Sequence, residues 1–399
     1  MKNFHRFIIS VILLMTIALT MVFANAQPTE VKEETVRCRV QEILSDSYDV
    51  TVFSGGEIYT RVINFRGEIL NGKYKGQTLL VRQELDELGQ INAYPAKEGD
   101  VFFLHLTTGE RGQLTGFASD HVRSGTLALL TAAFFGGLVL FGGLKGLKTV
   151  FSLSLTVILV FCWFIPSILN GKNPVAAALL VSFVIIFATL LIVIGINQKT
   201  ISALLGCWGG IAAAGIICAV SMYTMRITGL VDSDSGILMY VANGGNINLK
   251  GIVFAGIIIG ALGATMDVAV SVAAALHEIA EQAVGITPRQ LVRSGLSIGR
   301  DMMGTMSNTL ILAYAGGSLQ VILLMFSQQM NFEQLINREM VAVELLQALA
   351  GSIGMLCTIP ITTVVTAWLI SRKGGSGKKS ALPANWPQCM PFDNDEKQL

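Results

Sequence analysis

Charge is what this sequence of 399 residues has least of. Asp, Glu, Lys and Arg make up 14% of it, against 52% hydrophobic residues and a mean hydropathy of +0.61. A soluble globular chain carries about 25% charged residues, so this composition excludes a water-soluble protein and points to the membrane. Neither sign of charge dominates: 28 basic residues face 27 acidic ones, which gives no global attraction for nucleic acid. Histidine is rare, with four residues, and the six cysteines form no disulfide framework. Cys162, Cys207, Cys218, Cys357 and Cys389 fall in apolar stretches or the tail, and Cys38 stands alone. A secreted cystine scaffold and a cytosolic enzyme are therefore excluded as well.

The few charges that exist are unevenly placed. Residues 27–123 hold 26 of the 55, residues 371–399 hold 8, and residues 124–370 hold only 19. This predicts a leader at 1–26, an exported polar domain at 27–123, a transmembrane bundle at 124–370 and a cytoplasmic polar tail at 371–399. The leader has Lys2 and Arg6 before an apolar run from Phe7 to Phe23, then Ala24-Asn25-Ala26. That pattern fits a cleaved signal peptide, and the run is also long enough for an uncleaved signal anchor. Either form sends the next hundred residues across the membrane.

The exported segment predicts β structure. Runs rich in β-branched and aromatic residues at Glu34–Leu44, Tyr48–Phe53, Ile58–Phe65, Thr78–Arg82 and Val101–Leu106 are separated by Gly, Asn and Asp turns. About five strands in this length suit a small OB-like barrel or sandwich. Its two histidines, His105 and His121, stand apart, and no catalytic triad, metal spacing or phosphate loop accompanies them.

The bundle predicts an all-α polytopic fold with seven spans, at approximately 125–144, 149–169, 174–196, 201–223, 251–277, 302–325 and 344–370. With the preceding domain outside, the C-terminus falls inside. The basic residues agree with this orientation. The inner connections and tail carry Lys145, Lys148, Lys199, Arg289, Arg293, Arg300, Arg372, Lys373, Lys378 and Lys379, whereas the outer ones carry only Lys172, Arg226, Lys250 and Arg338.

Polar side chains inside the spans carry the functional expectation, since an ionisable group at membrane depth costs about 3 kcal/mol and usually faces a partner or a watery path. Asp267 lies deep in span five. At 100° per residue it shares one stripe with Gly256, Gly260, Gly263, Ser271, Ala274 and Glu278. Such a stripe serves either as a close-packing seam or as a lane for a substrate. Span six offers Asp301, Thr305 and Asn308 at i, i+4 and i+7, and span seven offers Glu344, Gln347, Gly351, Thr358 and Thr362, with Pro360 beside them. Spans one to four read as scaffold.

Two apparent motifs fail on their chemistry. His277-Glu278-Ile279-Ala280-Glu281 lacks the second histidine that a zinc helix needs. Asp232-Ser233-Asp234-Ser235-Gly236 opens like a calcium loop, but Asn243 stands where the closing Glu belongs.

The runs Gly260-Ala-Leu-Gly-Ala-Thr-Met-Asp267-Val-Ala-Val-Ser271, continuing to Leu276-His277-Glu278-Ile279, and Gly299-Arg-Asp301-Met-Met-Gly304-Thr-Met-Ser-Asn308, continuing to Tyr314-Ala-Gly316, resemble the signature segments of the YibE/F-like family of bacterial multi-pass membrane proteins. The resemblance covers about 125–370 and implies an integral protein of the cell membrane, with no implied reaction beyond that of a permease. The helix faces lead to a permease or a proton- or cation-coupled transporter, in which Asp267, Ser271, Asp301, Thr305, Asn308 and Glu278 bind the substrate or ion. The alternative is a structural or sensory protein whose exported domain binds a ligand or partner. An enzyme is not expected, nor is a cofactor, a metal or nucleic acid. The expected partners are the bilayer and an unknown small molecule or ion, with a homo-oligomer or a paralogous membrane partner left open.

Overall fold

The computed structural model describes residues 35–53, 56–86, 94–108, 114–231, 235–238, 247–283, 286–327 and 331–374. The expected leader, almost all of the tail, and most of the Asp232–Gly236 and Asn243–Asn246 turns lie outside the described residues. The chain divides into two compact units, with the boundary between Gly146 and Leu147.

The first unit opens with a closed five-stranded barrel of β1 (Thr35–Phe53), β2 (Gly56–Ile69), β3 (Thr78–Asp86), β4 (Val101–Thr108) and β5 (Leu114–His121), in the order β1-β2-β3-β5-β4. All neighbouring pairs are antiparallel except β3 with β5. Closure removes free strand edges, and the inward side chains fill the barrel: Val36, Cys38, Val40, Ile63, Phe65, Val81, Phe102 and Leu104 are all buried. Two expected strands, Glu34–Leu44 and Tyr48–Phe53, are one strand. Register shifts at Val40/Glu42 and Ile43/Ser45 bend it rather than end it. Strand β5 has no counterpart among the expected strands. Its inward residues are Gly116 and Ala118, which leave no hydrophobic alternation to see. A Cβ at Gly116 would stand 2.8 Å from Leu79 and 3.2 Å from Leu104, so the large neighbours fill what the small residues leave open.

The helices begin at α1 (Ser124–Ile158), which continues through a π turn at Leu159–Phe164 into α2 (Ile165–Leu169). Gly143 interrupts α1 with φ 54° and ψ −132°, a conformation open to glycine. A Cβ on Gly146 would collide with the carbonyl of Leu138. Eight residues of straight helix would separate these two by about 12 Å, so the backbone turns back on itself there.

The second unit holds the rest: α3 (Pro174–Val193), α4 (Gln198–Thr224), α5 (Leu249–Gln282), α6 (Pro288–Gly317), α7 (Leu319–Ser327), α8 (Phe332–Ile336) and α9 (Glu339–Gly374). Local signals set several starts. Asn173 and Asn248 accept hydrogen bonds from Val175 N and Gly251 N, and Thr287 forms a capping box with Gln290 ahead of Pro288. Five helical runs are long and apolar enough to cross a membrane, or six with α6 and α7 counted as one span bent by 58°. The sequence expects seven. The difference lies in Ser124–Leu169, where expected spans one and two form a single run of 46 residues. The inner connection expected at 278–301 is also largely helix, because Thr287 and Pro288 start α6 well before the hydrophobic run.

A long central helix organises the second unit. Helix α9 packs against α4, α5 and α6, and runs through Pro360 without a break in its helical assignment. In the barrel, the Cys38 thiol lies against Gly67, where any Cβ would collide with it. Burial pushes that thiol up to about 12. Gly67→Ala is expected to destabilise the barrel by about 1–3 kcal/mol through overpacking, read as a lower melting temperature and earlier exposure of Cys38 to maleimide.

Candidate functional site

The polar residues of the three expected stripes serve two different purposes. Thr358 and Thr362 of α9 are packing residues. A Cβ on Gly206 would strike the Thr362 side chain, one on Gly210 would strike Thr358, and one on Gly354 would lie 2.8 Å from Ala214. On another side, Gly295 and Gly299 of α6 receive Thr363 and Ile359. Thr358, Thr362, Thr363 and Thr366 are fully buried. Thr358 and Thr366 donate their hydroxyls to Gly354 O and Thr362 O, one turn back in the same helix, at 2.9 and 2.7 Å. These small residues bring helices into close contact, as membrane helices require. Thr358 and Thr362 therefore belong to a seam with α4 rather than to a polar route.

Helix α5 has two distinct sides. Ala255, Ile258, Leu262, Ala269 and Ala273 join one buried cluster, and Ala264, Val268, Val272 and Leu276 join another. Thr265 is buried between them, and its carbonyl accepts from the Cys207 thiol at 3.7 Å. The expected stripe lies on the remaining side: Gly256, Gly263, Asp267, Ser271, Ala274 and Glu278 are all exposed. A Cβ on Gly256 or Gly263 would meet nothing within 4 Å. The stripe is thus real as a face, and it is not the packing seam of α5.

Gly260 is the exception on that face. A Cβ there would lie 2.8 Å from the Tyr314 hydroxyl of α6 and 3.1 Å from Gln347 Nε2 of α9. Here polar groups from α6 and α9 do converge, Tyr314 and Gln347 meeting above a glycine of α5. Glu344, one turn before Gln347, lines an apolar cavity of about 110 Å³ with Tyr314 and Ser318 beside the α6–α7 bend.

Two close approaches set the level of α5 against α6. Gly260 meets Tyr314, and Leu276 lies 2.9 Å from where a Gly295 Cβ would stand. Interpolation between these ends places Asp267 at the level of Thr305 and Ser271 at the level of Asp301. Asn308 falls about one turn nearer the Tyr314 end. Asp301, Thr305 and Asn308 are exposed, and Gly304 between them is open. The Thr305 hydroxyl donates to Met302 O at 3.0 Å within its own helix. The candidate residues therefore spread over about 10 Å of depth, with the two carboxylates, Asp267 and Asp301, about one turn apart. Glu278 lies apart, about two turns toward the Gln282 end, and accepts from Gln282 Nε2 at 2.7 Å.

Residues 130–372 match the family described as YibE/F-like protein. The chain belongs to the YibE/F-like family. The match takes in the whole second unit up to Arg372, and so every candidate residue of this YibE/F-like protein; the barrel lies outside it. No curated protein and no solved structure matches the chain.

Among the described residues no group of three His, Cys, Asp or Glu side chains could hold a metal. His277 of the refused zinc motif is buried, with Nδ1 2.9 Å from Ala273 O in the same helix. One residue that sequence reading missed is Glu339, at the start of α9. Its carboxylate accepts from Thr228 N, Thr228 Oγ1 and Gly229 N at 2.6 to 3.0 Å, tying the end of α4 to α9. The available signal was an acidic residue in a first helical turn, and nothing in the sequence names its distant partner.

The two kinds of glycine should behave oppositely. Gly210→Ala is expected to cost about 1–3 kcal/mol by forcing α4 from α9. Gly263→Ala, with open space beside it, should be neutral or stabilise by up to about 1 kcal/mol through helix propensity. Melting temperatures of the two variants in one detergent check the contrast.

Proposed function

We propose that this YibE/F-like membrane protein is a permease in which the band formed by Asp267, Ser271, Asp301, Thr305 and Asn308 binds a proton or cation. The observation that carries the reading is the placement of two carboxylates about one turn apart in depth, with hydroxyl and amide neighbours, on the uncovered faces of α5 and α6. Asp267 lies eighteen residues from the start of α5 and fifteen from its end, more than about 20 Å from either. A carboxylate so placed on an apolar helix is costly without a partner. Two carboxylates about a turn apart, with oxygen donors between them, are hard ligands for a proton or small cation. The α6–α7 break adds discontinuous helix, a feature of transport sites. The protein performs no catalysis in this reading and needs no cofactor.

In the same proposal the chain crosses the membrane seven times after the leader. The run of 46 residues from Ser124 is about 69 Å long at 1.5 Å per residue, twice the roughly 30 Å hydrocarbon layer, and the backbone turns back at Gly143. Two crossings there, with α6 and α7 as one, would leave the barrel and the tail on opposite sides, and the excess of basic residues in the inner connections supports the barrel outside and the tail in the cytoplasm.

In proteoliposomes, Asp267→Asn is expected to lower proton, sodium or potassium flux by about 10- to 100-fold, the worth of one charge-assisted contact, while the melting temperature holds. Unchanged flux in the folded variant ends the coupled-transport reading. For topology, reporters at Lys145 and after Lys379 should both behave as cytoplasmic, and one at Lys172 as external. A Lys145 reporter on the outer side would reduce the Ser124–Leu169 run to one crossing.

A further inference from the structure

The first half of α6 carries a feature that the transport reading leaves unused. Arg289, Arg293 and Arg300 fall within about 40° of one line along the helix, and all three are exposed. None of them carries an ion pair among the described residues. The opposite side of the same stretch is buried: Leu291, Gly295 and Gly299 pack on α5 and α9.

Depth makes these charges unusual. Trp368 of α9, stacked under Arg372 at 4.0 Å, is of the residue type enriched at membrane–water interfaces, and serves as the reference for depth at this end. Gly295 meets Thr363 and Gly299 meets Ile359, so α6 descends as α9 rises. Ile359 lies nine residues inboard of Trp368, about 13 Å along the helix. Arg300, next to Gly299, shares that level, Arg293 lies about halfway, and Arg289 is near the level of Trp368. Beyond Arg300 the same line continues as Ser307 and then Ile311, which is 46% exposed, with the open Gly304 close beside it. Past the single hydroxyl of Ser307 this side of α6 is apolar and exposed, the character of a side that faces lipid. The nearby acids do not answer the charge: Asp301 points about 100° away around α6, and Glu278 on α5 is bonded to Gln282.

Guanidinium groups that descend into the acyl region on a lipid-facing side are satisfied by drawing phosphates to them. We propose that the Arg289–Arg293–Arg300 face of α6 is a docking strip for anionic phospholipid headgroups, with the two-pronged guanidinium groups gripping phosphate oxygens. The strip does not rest on transport, and lipid binding is expected whether or not Asp267 conducts an ion.

The test uses the purified full chain in detergent, titrated with dioleoyl phosphatidylglycerol, dioleoyl phosphatidylcholine or inorganic phosphate, with bound lipid counted by native mass spectrometry. Wild type should hold phosphatidylglycerol in preference to phosphatidylcholine. Removing all three charges (R289A, R293A and R300A together) should weaken phosphatidylglycerol by about 100-fold, at about 1 kcal/mol per arginine, with phosphatidylcholine binding unchanged. Arg372→Ala, which removes one charge elsewhere at the same end, should leave the preference in place. If the triple variant misfolds, Arg293→Ala alone should lower affinity about fivefold at an unchanged melting temperature. Equal affinity of wild type and variants for phosphatidylglycerol overturns the proposal. So does displacement of the lipid by inorganic phosphate alone, which would make the strip a soluble-anion site.

Discussion

The second unit depends on the contact between glycine on one helix and threonine on the next. Lipid tails are as apolar as leucine, so membrane helices gain little by hiding apolar surface from them, and close van der Waals approach must hold them together. Helix α9 achieves this on two sides, with Gly206 and Gly210 of α4 receiving Thr362 and Thr358, and Gly295 and Gly299 of α6 receiving Thr363 and Ile359. Threonine is suited to this place because its hydroxyl can bond to the turn before it, leaving a methyl group to pack. Thr358 and Thr366 do this, whereas the hydroxyls of Thr362 and Thr363 are buried without a hydrogen-bond partner among the described residues. A buried polar group that satisfies itself within its own helix adds no route for ions.

That seam decides what α5 has left to offer. Its aliphatic sides are committed to α9, α6 and the α3–α4 side of the bundle, and its small polar face remains uncovered. Asp267 is therefore a side chain that the packing does not use. The same holds on α6, where Leu291, Gly295 and Gly299 are buried while Asp301, Thr305 and Asn308 stand out. Only at Gly260 does the face close, beneath Tyr314 and Gln347.

The barrel follows a different rule. Alternation fills its interior, and closure in the order β1-β2-β3-β5-β4 gives each strand two neighbours. Glycine again permits the closest contacts, at Gly67 against Cys38 and at Gly116 against Leu79. On the outside, charge pairs such as Arg61 with Asp46 tie neighbouring strands. The Arg61 guanidinium holds the Asp46 carboxyl below the usual carboxylate range.

The sequence by itself determined the division into a β domain and a hydrophobic bundle, because scarcity of charge and the period of hydrophobicity are local properties. It also determined the stripe of α5, which follows from 100° per residue, whereas the start of α6 at Thr287-Pro288 lay inside what read as a connection at 278–301. What it left open was which stripes face what. Thr358 and Thr362 look as polar in sequence as Asp301 and Thr305, yet one pair is sealed against glycine and the other is exposed. Strand β5 was hidden because its inward side is Gly116 and Ala118, and the merger of β1 because bulges are not written in composition. Only the tertiary structure decided these, because a residue's surroundings depend on which distant glycine lies opposite, and helix periodicity records direction around an axis but not the neighbour waiting there.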